Sequence, residues 1–410
     1  MPNESTTIDR AAALRAALAD RLCADGKITS PAVEAAFRTV AREHFLPVEV
    51  SLEIAYGVDN PVVTKRDKDG VAVSSVSAAY IQARMLEQAE LRPGMTVLEI
   101  GSGGLNAALI AEVVGPHGRV VSVDIDHEVT DLAEVLLRSA GYADRVTVLQ
   151  ADAWRGVPDE GPFDATIVTV GTGDIAPAWL DQLTADGVLV LPLIMNGITR
   201  TIGFRRDDDH LASTSTELAG FVPLRGAGRQ VVRLTVLQDA NGWQVTLQFD
   251  AHVPADLGQL HDVLAAPRTE IWSRVTVPHQ TSFADLHLWL AWFLPGFCLL
   301  SADDGTELAG EHGSWFPYAV VCGAAFAYLV ARPTPDGDGV ELGARAYGAD
   351  GDLAAGTMVE QIQAWDRDGR HTTPTFGYWP ADSDHSQIPA GTSVLDKTHG
   401  VVTIRWPERY

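Results

Sequence analysis

Positive charge is what this sequence has least of. Thirty Lys and Arg stand against 54 Asp and Glu, a formal charge of −24 over 410 residues. Such a field repels polyanions and excludes nucleic acid as an expected partner, whereas a basic peptide would be attracted. Cysteine is also sparse: Cys23, Cys298 and Cys322 lie far apart, with no Cys-x-x-Cys pair. Their spacing excludes a disulfide framework and a cysteine metal site, and reads as reduced thiols of a cytoplasmic protein. Long apolar runs are missing too. Leu286 to Leu300 and Tyr318 to Val330 fall short of the roughly 20 residues that a spanning helix needs, so no membrane passage is expected. The N-terminal residues lack the basic-then-apolar order of a signal peptide, so no export is expected. His279, His287 and His312 show no metal-ligand spacing, and no metal is expected.

What is present centres on Thr96 to Leu109. The apolar run Val97-Leu98 ends in Glu99-Ile100, breaks at Gly101-Ser102-Gly103-Gly104, and resumes with helical spacing at Leu105. This reads as strand, tight turn, helix, the arrangement that brings a nucleotide-type ligand against a helix start. Asn106 stands where a dinucleotide fingerprint wants glycine, and Glu99 puts a carboxylate beside the turn; both disfavour NAD and favour S-adenosylmethionine (SAM). A ligand-free glycine turn stays open on the motif alone. Two further predicted strands end in acids: Val120 to Val123 in Asp124, with Asp126 beyond it, and Val146 to Leu149 in Asp152-Ala153. Asp124 follows the turn by about 20 residues, the spacing of a ribose-binding carboxylate. Glu99, Asp124 and Asp152 thus rim one end of a parallel sheet. Ser77, at the start of a helical run to Leu91, reads either as an N-cap or as a functional hydroxyl.

Alternating βα units up to about residue 228 predict an α/β, Rossmann-like domain over residues 1–228. Beyond it the texture becomes mostly β. Asn241-Gly242 marks a hairpin across Val231 to Phe249, with Trp243, Val245, Leu247 and Phe249 expected on one face. A helix is expected near Met358 to Trp365. Residues 229–410 are accordingly expected to form a C-terminal accessory domain that recognises a peptide substrate, because a peptide needs a docking surface.

The combination of Val40-Ala-Arg42, Phe45-Leu-Pro47, Ala55-Tyr56, Ser77 ahead of Ala83-Arg-Met-Leu86, Val97-Leu-Glu-Ile-Gly101, Ala107-Ala108, Asp152, Phe163-Asp-Ala165 and Phe221-Val-Pro-Leu224 resembles the protein-L-isoaspartate O-methyltransferases. The resemblance covers residues 1 to about 228. It implies methyl transfer from SAM to the side-chain carboxylate of an Asp or isoAsp residue in a peptide or protein. Glu99, Gly101, Ser102, Gly103, Asn106, Asp124, Asp126, Asp152 and Ala153 are then the expected cofactor residues, and Ser77 with Ser75 the hydroxyl pair beside the acceptor. Two departures stand out. The family's glycine loop is usually one residue longer, and its Gly-Gln-Thr-Ile-Ser segment is here Val73-Ser-Ser-Val-Ser77. The whole chain is similar to the actinobacterial branch that tailors ribosomally made peptides, where the methyl ester collapses to aspartimide. General isoaspartate repair and a non-catalytic peptide-binding scaffold are the alternatives. The sequence leaves the oligomeric state open.

Overall fold

In the computed structural model, residues 4–250, 253–255, 257–309 and 317–407 are described, with side chains from Ile8 onward. His312 lies outside them. The chain begins with helices α1 (Glu4–Ala24), α2 (Pro31–Thr39) and α3 (Leu52–Ala55), then a hairpin of strands β1 (Val62–Arg66) and β2 (Ala72–Val76) and helix α4 (Ala79–Gln88). Ser30 caps α2 ahead of Pro31, whose missing N–H costs nothing at a first helical turn.

The alternating part follows: β3 (Thr96–Ile100), α5 (Leu105–Val114), β4 (Arg119–Asp124), α6 (His127–Ser139), β5 (Val146–Gln150), β6 (Phe163–Val168), α7 (Pro177–Asp181) and β7 (Leu183–Met195). These five strands are parallel, in the order β5-β4-β3-β6-β7. Successive crossovers run outward from β3 in one direction and then in the other, which opens a crevice beyond the carboxyl ends of β3 and β6. Each strand reads as a continuous apolar run because both its faces are buried. Val97, Val120, Ile167 and Val188 face a core shared with α2 and α5, while Leu98, Val121, Val168 and Leu189 face a second core. On α6 the buried stripe is Val129, Thr130, Ala133 and Leu137, while Leu132 and Val135 are exposed.

Two antiparallel strands, β8 (Ile198–Asp207) and β9 (His210–Leu218), then extend the sheet from β7. The chain next builds a separate seven-stranded antiparallel sheet. Its elements are β10 (Arg233–Gln238), β11 (Gln244–Phe249), β12 (Arg268–Pro278), α8 (Ala284–Phe293), β13 (Phe297–Ala302), β14 (Tyr318–Cys322), β15 (Ala325–Pro333), β16 (Gly339–Gly348) and α9 (Gly351–Ala364). The strand order is β10-β11-β13-β14-β15-β16-β12. The hairpin at Asn241-Gly242 forms as expected, with Gly242 at φ 88°. Val245, Leu247 and Phe249 are buried, but Trp243 precedes β11 and stays 45% exposed, its ring against Gly305 instead of the shared face.

Residues 229–410 do not all remain in this second sheet. The last strands, β17 (Thr375–Pro380), β18 (Ser393–Asp396) and β19 (Gly400–Arg405), return to the first one, where β17 pairs with β9. The result is a ten-stranded sheet, β18-β19-β17-β9-β8-β7-β6-β3-β4-β5. The physical reason is an open edge on β9 that would otherwise leave its backbone groups unpaired. Tyr378 secures the return by donating its hydroxyl to Asp174 Oδ1 at 2.9 Å. Met358, Ile362 and Trp365 of the expected helix region are buried in a single continuous core that joins α8, α9 and both sheets. Among the described residues no helix is long and apolar enough to cross a membrane.

Candidate active site

The turn after β3 owes its shape to glycine at two positions. Gly101 sits at φ 102°, and a Cβ there would lie 2.3 Å from Thr169 Oγ1. That hydroxyl donates to the carbonyls of Ile100 and Gly101 at 3.0 and 3.1 Å, tying the ends of β3 and β6 together. Gly104, at φ 82°, starts α5 against the Phe45 ring. Gly103 faces open space, so the backbone between them is accessible to a ligand.

Glu99 is wholly buried at the end of β3 and accepts a hydrogen bond from Ser122 Oγ on the neighbouring strand. Burial pushes its carboxyl up to about 7, against the opposing pull of Ser122 and Asn106. Glu99 Oε1 and Asn106 Nδ2 are both buried with no hydrogen-bond partner. Ser102 is buried as well; its hydroxyl accepts from Ser122 Oγ at 2.8 Å, and its backbone N–H donates to Asp124 Oδ2 at 3.2 Å. Ser102 therefore supports the two acids without facing the cleft.

Asp124 ends β4, with its other oxygen accepting the Asp126 N–H at 2.9 Å. Burial raises it, opposed by those two N–H groups and by Arg225, whose Nη2 lies 3.6 Å away. Asp126 is differently occupied. It caps α6 by accepting from Glu128 N, and it pairs with Lys65 Nζ at 2.6 Å and with Arg225 at 3.2 Å. Burial alone would raise Asp126, but these two cations outweigh it and hold it below the usual range. Asp152 Oδ1 accepts from Trp154 N at 3.2 Å and Oδ2 from Ala227 N at 2.9 Å. Its carboxylate thus pins the segment 223–229 across the strand ends. A small cavity of about 30 Å³ lies beneath this strap, lined by Gly101, Asp124, Ile125, Ala153, Leu224 and Arg225 among others.

Sequence reasoning passed over Arg225 and Lys65. The Phe221-Val-Pro-Leu224 motif marked the neighbourhood of the first, but nothing local shows that its guanidinium reaches two acids about a hundred positions earlier. Lys65 lies in a polar stretch that reads by default as a solvated turn.

On the acceptor side, Val73, Ser75 and Ser77 alternate along β2 and its continuation, which places them on one face. Val73 lines both the small cavity and a larger one of about 670 Å³ that adjoins it. Neither Ser75 nor Ser77 is among the residues lining these two cavities. Ser77 does not cap α4, whose capping position is Ala78 with no side-chain bond. Instead its carbonyl accepts from the buried Arg42 at 2.6 Å, and the Ser75 and Ser77 hydroxyls have no partner among the described residues. Among those residues there is also no group of three His, Cys, Asp or Glu able to hold a metal ion.

The donor set fits SAM. The unpartnered Glu99 Oε1 suits an ammonium, the carboxylate of Asp124 suits ribose hydroxyls, and Ile125 with Ala153 offers an apolar wall for a ring. A doubly wound sheet with this glycine turn and these acidic strand ends defines a Rossmann-like, SAM-dependent methyltransferase. Residues 13–229, over half of the chain, match the family described as Protein-L-isoaspartate(D-aspartate) O-methyltransferase (PCMT), and the protein belongs to it. The Protein-L-isoaspartate O-methyltransferase of Hyperthermus butylicus is 39% identical over 187 residues, which cover 44% of this chain and 74% of that one. The Methanopyrus kandleri relative of the same name is 38% identical over 180 residues, 44% and 76% of the two chains. Among solved structures, a protein-L-isoaspartate O-methyltransferase aligns with a TM-score of 0.48 and 25% identity, over 57% of this chain and 84% of that one. A Plasmodium falciparum chain in complex with S-adenosyl-L-homocysteine aligns with a TM-score of 0.45 and 17% identity, over 52% and 98%.

Proposed function

We propose that this chain methylates the side-chain carboxylate of one aspartyl or isoaspartyl residue in a dedicated peptide, tailoring it after synthesis as in the actinobacterial branch of the family. The observation that carries this reading is the 670 Å³ cavity. One wall comes from the methyltransferase part (Val73, Arg225) and the other from the second sheet (Val232, Gln248), so a peptide entering it meets both. Such a volume lies in the usual range of a ligand pocket.

SAM supplies a methyl carbon activated by the adjoining sulfonium. With SAM bound, Glu99 would take the cofactor's ammonium, Gly101 and Gly103 would let the backbone approach it, and Asp124 would take the ribose hydroxyls. Ile125 and Ala153 face the adenine. Ser122 holds Glu99 in place, Ser102 supports Ser122 and Asp124, Asn106 stands beside Glu99, Asp126 holds Arg225, and Asp152 holds the strap. The acceptor carboxylate, with an ordinary pKa of about 4, is already ionised at neutral pH and needs no base. Ser75 and Ser77 do not line the cavity but share the strand face of Val73, which does, and their hydroxyls would orient the carboxylate at its margin, where alignment of the reacting atoms does the rest. The resulting ester carbonyl is open to attack by the next residue's backbone nitrogen. Ring closure expels methoxide, which takes the amide proton and leaves as methanol, giving aspartimide.

Methylation of isoaspartyl sites in proteins generally is the second reading, and it is favoured by family membership, which rests on residues 13–229 alone. Mass spectrometry separates the two. Incubating enzyme and SAM with a peptide encoded beside it is expected to add one methyl mass, then lose methanol. Strong turnover of an arbitrary isoaspartyl peptide and none of the encoded one would establish repair instead. No turnover of either would leave a binding scaffold.

A further inference from the structure

The geometry points to an extended, acidic peptide docking as an added strand on the free edge of β10, with its acceptor residue reaching into the 670 Å³ cavity; this rests on the methyltransferase reading of that cavity. β10 is the outermost strand of the seven-stranded sheet and pairs only with β11. Asp239 N donates to Trp243 O at 3.0 Å, and the register continues without a bulge from Leu237↔Val245 to Arg233↔Phe249. Alternation in an antiparallel ladder then turns the N–H and C=O groups of Leu234, Val236 and Gln238 outward. None of these has a backbone partner among the described residues.

The side chains along this edge agree. Leu234 and Val236 are 59% and 53% exposed on the face opposite the sheet's core, an apolar row where an edge strand is usually blunted by charge, proline or a bulge. The row is continuous with the cavity, because Val232 and Gln248, the partner of Leu234, line it. Charge selects the occupant. From Ala219 to Gln238 there is no Asp or Glu, although the chain holds 54 of them, and there are three arginines at intervals of four. Arg225 is engaged by Asp126 and Asp124, but Arg229 and Arg233 are exposed with no acidic partner among the described residues. Charges within a Debye length of about 8 Å govern a docked segment; of the acids lining the cavity, Asp67 accepts from two backbone N–H groups and Asp250 faces Lys397, which leaves the two arginines as the uncompensated local charge. An extended segment with carboxylates near the two arginines and apolar residues over Leu234 and Val236 satisfies backbone and side chains together.

Steady-state methylation by the full-length chain tests this with three probes: a short isoaspartyl tripeptide, a longer isoaspartyl peptide with flanking Asp and Glu, and the same peptide with Asn and Gln in their place. The acidic peptide is expected to show a KM about tenfold below that of its neutral twin, the effect of one charge-assisted contact. Val236→Pro removes an outward N–H while sparing the bonds to β11. It is expected to raise KM for the acidic peptide about tenfold with kcat unchanged, and Arg233→Glu to abolish the acidic preference. Tripeptide kinetics stay as they were in both variants, which reports an intact catalytic part. Equal KM for the acidic and neutral peptides would overturn the proposal. So would a Val236→Pro variant that shifts tripeptide and long peptide alike, or one that turns a dimer into a monomer with KM unchanged, which would assign the edge to a second copy of the chain. Failure of the unaltered protein to methylate the tripeptide, both longer peptides and the peptide encoded beside it would instead remove the methyltransferase reading beneath it.

Discussion

Glu99 carries the pH behaviour of the cofactor side. Its carboxyl is held up to about 7, whereas the same group in an unfolded chain titrates at about 4.3. The folded protein keeps that proton where the unfolded chain releases it, so the contribution to stability is full below about pH 4.3 and is lost as pH rises through 7. Glu99→Gln removes that loss, and urea denaturation at pH 8 is expected to show a gain of up to about 3 kcal/mol. Calorimetric titration should show the opposite for function: SAM affinity of the unaltered protein falls as pH drops below 7, because a neutral Glu99 no longer attracts an ammonium. Ser77→Ala is expected to lower kcat for methyl transfer about tenfold, the effect of one hydrogen bond to a charged acceptor, with KM for SAM unchanged. Gly101→Ala puts a Cβ 2.3 Å from Thr169 Oγ1 at a φ that side chains avoid, and a thermal melt is expected to report a loss of roughly 1–3 kcal/mol or more. At this scale the sequence was informative because the signals are local: a glycine turn and acids just after apolar runs. What it left undecided was direction. Asp126 and Asp152 have the right spacing, yet one points to Lys65 and Arg225 and the other to the strap, and only tertiary packing determines that.

Between residue and molecule lie two movable-looking pieces fixed by charge. The β1–β2 hairpin, which bears Ser75, is fastened to the cofactor loop by Lys65, whose Nζ reaches Asp126 at 2.6 Å and Glu128 at 2.7 Å. On the proposed function this ties the acceptor side to the cofactor side. Lys65→Met is expected to speed amide hydrogen exchange across residues 62–76 while leaving β3 to β5 protected, and to raise KM for peptide more than for SAM. The strap at 223–229 is held by Arg225 and by Asp152, and a cavity of 30 Å³ beneath it is far below the several hundred Å³ of a ligand site. Binding of SAM beside the strap is expected to change the protection of residues 223–229 from exchange, measured with and without SAM. The hairpin at Asn241-Gly242 was legible because its turn chemistry is contained in two residues. The strap was not, since its anchors lie about 75 and 100 positions away in the chain.

At the level of the whole molecule, the division expected at residue 228 falls between β9, which ends at Leu218, and β10, which begins at Arg233, and the last three strands return to the first sheet. Nothing in Thr375 to Arg405 distinguishes strands that join a distant sheet from strands that finish a nearby one; both read as short apolar runs between turns. Tyr378 on Asp174 and Lys397 Nζ donating to Ile194 O at 2.8 Å tie the late strands into the first sheet, and the core shared through α8 and α9 joins the two sheets. A chain ending at residue 228 is expected to aggregate, with β9 unpaired at its edge, and calorimetry of the full chain to show a single unfolding transition. Two resolved transitions would count against this.

The return of the C-terminal strands also sets the timing of biosynthesis. The edge of β9 is complete at Leu218, and its partner begins at Thr375, 157 residues later. At 5–20 residues per second, roughly ten to thirty seconds pass on the ribosome with that edge exposed. During this interval the growing chain is open to mispairing at the edge of β9. Strands far along the chain thus close the sheet whose β3 carries the glycine turn.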